Sequence, residues 1–282
     1  MTAPKRTEPV RVAVVQLHPV PDDIAGNIER ISTLVRGAAA DGAKLVVVPE
    51  TATTGYFIAD RLDRLAEPDN GPTATALSAL ARDCALYLVV GMAISDAGTY
   101  YDAQLLFGPE GTPLAIYRKV HLFSAERQWY TAGDTPVVVD TPIGKIGLSI
   151  CYDFIFPEFI RCLVDLGADI VVNSTNWISD DFQRDTWGWT GSTVESLART
   201  RALENGVWLA MANCIGAESG FDSLGHSCVV APSGKVLASA GTGDGFAAAD
   251  IIYESDALMR WRGIATYRDD RRREIYRIES AG

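Results

Sequence analysis

Two pairs of segments in this chain repeat in the same order. Gly42-Ala-Lys-Leu-Val-Val-Val resembles Gly167-Ala-Asp-Ile-Val-Val-Asn, and Leu106-Phe-Gly-Pro-Glu-Gly-Thr-Pro-Leu-Ala resembles Val229-Val-Ala-Pro-Ser-Gly-Lys-Val-Leu-Ala. The offsets, 125 and 123 residues, nearly agree. Short apolar runs bounded by turn residues predict strands, and apolar residues at helical spacing predict the helices between them. The first half reads as strands over Arg11–Leu17, Leu45–Val48, Leu86–Ala93, Tyr101–Phe107 and Leu114–Tyr117. A helix carrying Ile24, Ile28, Ile31, Leu34 and Val35, capped by Asp22 or Asp23 and closed by Gly42, lies between the first two strands. A second covers Thr73–Cys84. The later half repeats this with strands over Lys145–Ile150, Asp169–Val172, Val207–Ala212, Ser227–Ala231 and Val236–Ser239, and helices over Pro157–Leu166 and Thr193–Glu204. A sheet with helices on one face leaves its other face apolar. Two such halves bury those faces against each other, which predicts an α/β fold: a four-layer α-β-β-α sandwich with internal pseudo-twofold duplication.

That reading makes residues 1–282 a single domain. Its core spans about 10–253, after a loose start over residues 1–9. A C-terminal arm over 254–282 holds a short helix near Asp256–Trp261. The arm's arginines (Arg260, Arg262, Arg268, Arg271, Arg272, Arg273 and Arg277) are interleaved with Asp269, Asp270, Glu274 and Glu279. Such mixed charge fits a solvated or interfacial arm better than a phosphate site. A net charge of −11 argues against a nucleic-acid partner. No apolar run reaches the length of a membrane span and the start carries no apolar signal segment. The five cysteines lack framework spacing, so they read as reduced thiols of a cytoplasmic protein. With no Cys-x-x-Cys and three scattered histidines, a structural zinc site is not expected.

Chemistry concentrates where strands end. Glu50 follows Leu45–Val48, Lys119 follows Leu114–Tyr117, and Cys151 follows Lys145–Ile150. Loops at strand carboxyl ends are the usual binding positions of α/β sheets. Taken alone, Cys151 admits two readings, an apolar filler or a nucleophile on a bend. Glu50 can equally cap a turn, and Lys119 can be a surface charge. Together they supply a base, a thiol and an ammonium for an oxyanion. Glu126, seven residues beyond Lys119, can position that lysine or the substrate, or be solvated. The stretch Asp180–Trp189, with Trp187 and Trp189, has no assignment from pattern alone. Gly241–Gly245 reads as a loop.

Pro49-Glu50 followed by Thr-Gly-Tyr56, then Tyr117-Arg-Lys119-Val-His-Leu-Phe123, then Cys151-Tyr-Asp-Phe-Ile-Phe-Pro-Glu158, resemble the three signature segments of the nitrilase superfamily of carbon–nitrogen hydrolases, in the family's order. The resemblance covers the chain from about Arg11 to the arginine-rich arm. It implies the same sandwich, with Glu50 as general base, Lys119 as oxyanion lysine, Cys151 as nucleophile, Glu126 as the second glutamate, and the Tyr152 N–H as the other oxyanion donor. Tyr56, Tyr152, Asn176 and Trp177 are the expected substrate-binding positions, since Asn173-Ser-Thr-Asn-Trp177 resembles the family's pocket segment. Cys-Tyr-Asp is similar to the amidase and carbamoylase branches; nitrilases more often carry Cys-Trp-Glu. Phe154, Ile155 and Phe156 stand where carbamoylases that grip a carboxylate tend to place arginines. The expectation is therefore a cofactor-free, metal-free amidohydrolase. It would cleave a small carboxamide to carboxylate and ammonia through a cysteine thioester, as a homodimer or higher homo-oligomer. N-carbamoyl amine hydrolase, nitrilase, and a non-catalytic binding or scaffold subunit are the alternatives.

Overall fold

The computed structural model describes residues 7–276. Arg277 and Glu279 of the arginine-rich arm, and the first six residues of the expected loose start, lie outside the described residues. The first half holds Val10–Gln16 (β1), Ile24–Ala40 (α1), Leu45–Val48 (β2), Leu62–Leu65 (α2), Pro72–Cys84 (α3), Tyr87–Asp96 (β3), Thr99–Phe107 (β4) and Pro113–Arg118 (β5). The second begins with Val138–Thr141 (β6), Gly144–Ile150 (β7), Pro157–Asp165 (α4), Ile170–Thr175 (β8), Ile178–Ser179 (β9), Asp181–Trp187 (α5) and Gly191–Asn205 (α6). It continues through Trp208–Asn213 (β10), Ile215–Glu218 (β11), Phe221–Leu224 (β12), Cys228–Val230 (β13), Val236–Ser239 (β14), Gly245–Ile251 (β15) and Asp256–Arg262 (α7).

The duplication is visible strand by strand. One sheet runs β15-β1-β2-β3-β4-β5 and the other β6-β7-β8-β10-β13-β14. In each, three parallel strands lie in the middle (β1, β2, β3 and β7, β8, β10). An antiparallel hairpin extends one side, and one antiparallel strand closes the other. The halves differ in the source of that last strand: β6 is a hairpin partner of β7, whereas β15 returns from the far end of the chain to β1.

Period-two alternation decides which face goes where. Val10, Val12 and Val14 of β1 and Leu45 and Val47 of β2 point into the layer between the sheets, where they meet Ile146, Leu148, Val172 and Ala210. Ala13, Val15, Val46 and Val48 point the other way, under Ile31 and Val35 of α1 and Leu77 of α3. Each of these Val, Leu and Ile side chains, when fully buried, contributes about 1.5–3 kcal/mol. Helix starts follow local chemistry: the Asp23 carboxylate accepts the Gly26 N–H at 3.0 Å, and α3 and α4 begin on Pro72 and Pro157.

The unassigned stretch becomes α5. Asp180 caps it by accepting the Gln183 N–H at 2.7 Å, and Gly188 ends it in the left-handed conformation. A third small sheet, β11-β12-β9, packs beside it. The described part of the arm folds back on its own chain. Arg271 meets Asp165 at the end of α4 (2.6 Å), and Arg268 donates to the Asn205 carbonyl at the end of α6 (3.1 Å). Among the described residues no helix is long and apolar enough to cross a membrane.

Candidate active site

Strand ends from both sheets converge on one point. β2 runs into Pro49-Glu50, with Thr51 in the left-handed region (φ 44°) so that the chain leaves sharply. Gly91 of β3 lies against this bend: a Cβ there would sit 2.5 Å from the Glu50 Cα, so no larger residue fits without moving Glu50. β5 runs into Lys119, whose N–H donates to the Asp102 carbonyl of β4 at 2.8 Å. β7 runs into Cys151, itself left-handed at φ 41°. For residues with a Cβ this conformation costs about 1–2 kcal/mol, and it persists where surrounding structure enforces it.

The enforcing group is Asp153. Its buried carboxylate accepts from the Ile150 N–H (2.8 Å), the His121 N–H (3.1 Å) and the Tyr117 hydroxyl (2.7 Å), with His121 Nδ1 at 2.8 Å. The turn after β7 is thereby fastened to the end of β5, which fixes Cys151 relative to Lys119. His121 also stacks on Phe156, ring centroids 3.9 Å apart.

Beneath Cys151, Lys119 is fully buried inside a cage of carboxylates. Its Nζ lies 2.5 Å from Glu50 Oε1, 2.9 and 2.8 Å from the two Glu126 oxygens, and 3.1 Å from Asp102 Oδ2. Glu50 Oε2 also accepts the Asn176 N–H at 2.8 Å. Glu126 also accepts from the Tyr56 hydroxyl (2.5 Å) and the Phe123 N–H (2.7 Å). Asp102 is the exception: both its oxygens are buried without a hydrogen bond from any other group. Burial pulls the Lys119 ammonium down, but Glu126, Glu50 and Asp102 outweigh it and hold the pKa well above the usual lysine value. Burial pushes Asp102 far up, and Glu50 and Glu126 add to this against the pull of Lys119. The carboxyl with the fewest donors is thus the one whose protonated form its surroundings favour. The oxygens of Glu50, Asp102 and Glu126 come within 4.8 Å of one another, a spacing that suits a metal ion, but Lys119 Nζ occupies their centre.

The Cys151 thiol is also held well above its ordinary pKa. Burial is the main cause and the Glu50 charge adds to it, while Lys119 and the neighbouring Thr175 side chain act the other way. It rests as a thiol, so attack requires a base at the moment of bond formation.

A cavity of ≈ 240 Å³ opens onto Cys151, and Tyr152, Asn176, Trp177 and Trp189 help line it. A second chamber of ≈ 330 Å³, with Tyr56 and Glu126 in its wall, shares Phe123, Ile178 and Trp189 with the first. The aromatic residues of the unassigned stretch are therefore wall. Trp189 lines both chambers and packs on Trp187 (5.2 Å), which packs on Phe182 (5.6 Å). All eight residues expected from the sequence meet here: Cys151, Tyr152, Asn176 and Trp177 at the inner chamber, Tyr56 and Glu126 at the outer, and Glu50 and Lys119 below.

Residues 11–255 match the carbon-nitrogen hydrolase family. The chain belongs to that family. Among carbon-nitrogen hydrolases it is 33% identical to omega-amidase NIT2 of Homo sapiens over 280 residues, covering 95% of this chain and 97% of that protein. It is likewise 33% identical over 277 residues to a nitrilase of Pyrococcus abyssi, covering 95% and 99%. Its backbone resembles the amidase of Nesterenkonia sp. AN1, a member of the nitrilase superfamily. The double mutant of that amidase in complex with acrylamide has a TM-score of 0.81 at 28% identity, covering 95% of each chain. Another mutant of that amidase, with the acetamide moiety of fluoroacetamide added covalently at the active-site cysteine, gives 0.82 at 27% identity over 98% of each.

Sequence reasoning left out Asp102, Asp153, Thr175 and Gly91 of this carbon-nitrogen hydrolase. A signal existed for Asp102: period-two spacing puts it with Gln104 and Leu106 on one face of β4, where two polar residues break an apolar strand. Gln104 Nε2 donates to Ser174 Oγ at 2.8 Å, and Ser174 in turn donates to the Val48 carbonyl at 2.6 Å, so this polar face bridges the two sheets.

Proposed function

We propose that this chain hydrolyses a small carboxamide through a thioester on Cys151. The observation that carries the reading is the buried Lys119 ammonium clamped between Glu50 and Glu126 directly below a strained, cavity-lining cysteine. Glu50 takes the thiol proton as Cys151 Sγ bonds to the amide carbon. The carbonyl oxygen becomes an oxyanion facing Lys119 and the Tyr152 N–H. That N–H lies in the first turn of the short 3₁₀ segment Cys151–Ile155, where amides have no acceptor within the turn. Collapse breaks the C–N bond, and the nitrogen leaves as ammonia with the proton held by Glu50. Water then adds to the thioester as Glu50 takes its proton, the C–S bond breaks, the acid is released, and Glu50 returns the proton to sulfur. Glu126 keeps Lys119 in line and is itself steadied by Tyr56. The covalent adduct on the active-site cysteine of the Nesterenkonia amidase supports the same attack here.

The two halves share the layer between the sheets, which supports one domain over about 10–253 with the arm beyond 254 added to it. The five cysteines are all free thiols, consistent with a reducing, cytoplasmic setting. A homo-oligomer is part of this reading; light scattering at micromolar concentration that gave a monomer would remove it. An ammonia-release screen over amides, N-carbamoyl compounds and nitriles tests the reaction class. Preference for amides is expected, and preference for a nitrile would overturn it.

A further inference from the structure

We propose that the chambers above Cys151 accept the uncharged, apolar or aromatic acyl group of a neutral amide and exclude an amide whose acyl chain carries a carboxylate. This rests on the amide-hydrolase reading above. The inner wall is apolar at Phe123, Ile155, Trp177, Ile178 and Trp189. The outer chamber adds Phe57 stacked on Phe221, with ring centroids 5.4 Å apart and planes 20° from parallel, together with Trp129 and Tyr130. Among the described residues, no lysine, arginine or histidine lines either chamber. The nearby guanidiniums are engaged or turned away. Arg61 donates to the Phe57 carbonyl (2.6 Å) and pairs with Asp60 (3.0 Å), and Arg201 donates to the Phe154 and Ile155 carbonyls (2.6 and 3.2 Å) and pairs with Glu204 (2.8 Å). Arg184 is bound to the Ser179 carbonyl (2.9 Å) and Asp222 (2.8 Å), and Arg127 is exposed on the turn that carries Glu126. Below the thiol, Glu50 and Glu126 face the single cation Lys119, so the floor of the site is net negative even with Asp102 protonated. A substrate carboxylate would lose its water, find no cation, and meet that negative floor. A flat ring or an alkyl chain meets only aromatic and aliphatic wall.

The test uses four amides with ammonia release as the readout: hexanamide, 3-phenylpropanamide, 5-carbamoylpentanoate, and the methyl ester of the last. The first two should exceed 5-carbamoylpentanoate in kcat/KM by at least ~10²-fold, because the anion is left unpaired in the bound state. The methyl ester should recover to within ~10-fold of hexanamide, showing that charge and not length is rejected. In Ile155→Arg, at a half-exposed wall position that tolerates a longer side chain, the carboxylated amide should gain at least ~10-fold while hexanamide loses. Turnover of 5-carbamoylpentanoate equal to hexanamide, or an ester as poor as the acid, would overturn the inference. Equal ammonia release from all four leaves amide hydrolysis standing and removes only this selectivity. Release from none removes the amide-hydrolase reading, and the inference with it.

Discussion

Replacing Asp102 by asparagine should leave the enzyme working and make it relatively more stable as pH rises. As an anion, Asp102 would gain about 5 kcal/mol from Lys119 at 3.1 Å with an effective dielectric of about 20. It would also face Glu50 and Glu126, each within 4.8 Å, at a repulsion of at least about 3.5 kcal/mol apiece on the same scale. Repulsion already exceeds attraction, and full burial adds a desolvation cost. The group therefore stays protonated, in line with the direction in which burial and its neighbours move its pKa. Asparagine is close in shape to the protonated acid, so turnover should stay within about tenfold, and stability should match wild type within about 1 kcal/mol near pH 4, where the unfolded carboxyl still largely holds its proton. The sign of the pH effect follows from proton binding. The native state keeps a proton that the unfolded chain releases above the ordinary carboxyl pKa, so wild-type stability falls as pH rises from there to the raised folded pKa. This group contributes a slope of about 1.4 kcal/mol per pH unit, which the variant lacks. Urea unfolding of both proteins from pH 4 upward in unit steps, with ammonia-release kinetics alongside, measures it. A stability difference that does not shift toward the variant with pH would refute the protonated assignment. So would a rate loss of Lys119-like size.

Lys119→Met should lower turnover by at least about 10²–10³. It should also destabilise the fold by about 3–5 kcal/mol, since it strands the carboxylates of the cage. Chemical denaturation and steady-state kinetics read both, and near-normal rates would discard the oxyanion role. Gly91→Ala places a methyl 2.5 Å from the Glu50 Cα, so it should cost about 1–3 kcal/mol and depress kcat. A variant with unchanged kcat would show that Glu50 tolerates the shift. Asp153→Ala removes the acceptor of the Ile150 and His121 N–H groups and the Tyr117 hydroxyl, and should destabilise by several times the roughly 1–3 kcal/mol of one orphaned buried donor. A small change in melting temperature would contradict its role in holding the Cys151 turn.

The duplication was legible because it is written in local patterns: a strand, a turn and a strand recur, with helices between the parallel strands of each half. Glu50, Lys119 and Cys151 were legible because each stands at a visible strand end. Asp102 and Gly91 were not, since their meaning depends on register. The β3–β4 pairing sets Ala93 opposite Asp102 and Gly91 opposite Gln104, and the β2–β3 pairing, with Val48 opposite Val90, brings Gly91 against Glu50. β9 has two residues and exists because β12 pairs with it, so no periodicity announces it. α5 has seven residues with no buried face, and its capping Asp180 and terminal Gly188 are its only local marks. The role of Trp189 emerges from the chambers it separates, a fact of tertiary packing alone.

The thioester on Cys151 is the central claim. A slow amide substrate should be quenched in acid and the intact protein weighed, with peptide mapping of wild type and Cys151→Ala. The expected result is an acyl mass on the peptide containing Cys151, absent from the alanine variant, which should release no ammonia. Cys84 and Cys162, on α3 and α4, and the buried Cys214 and Cys228 should stay unmodified. An acyl group on any other residue, or an alanine variant that turns over amide at a comparable rate, would contradict the account.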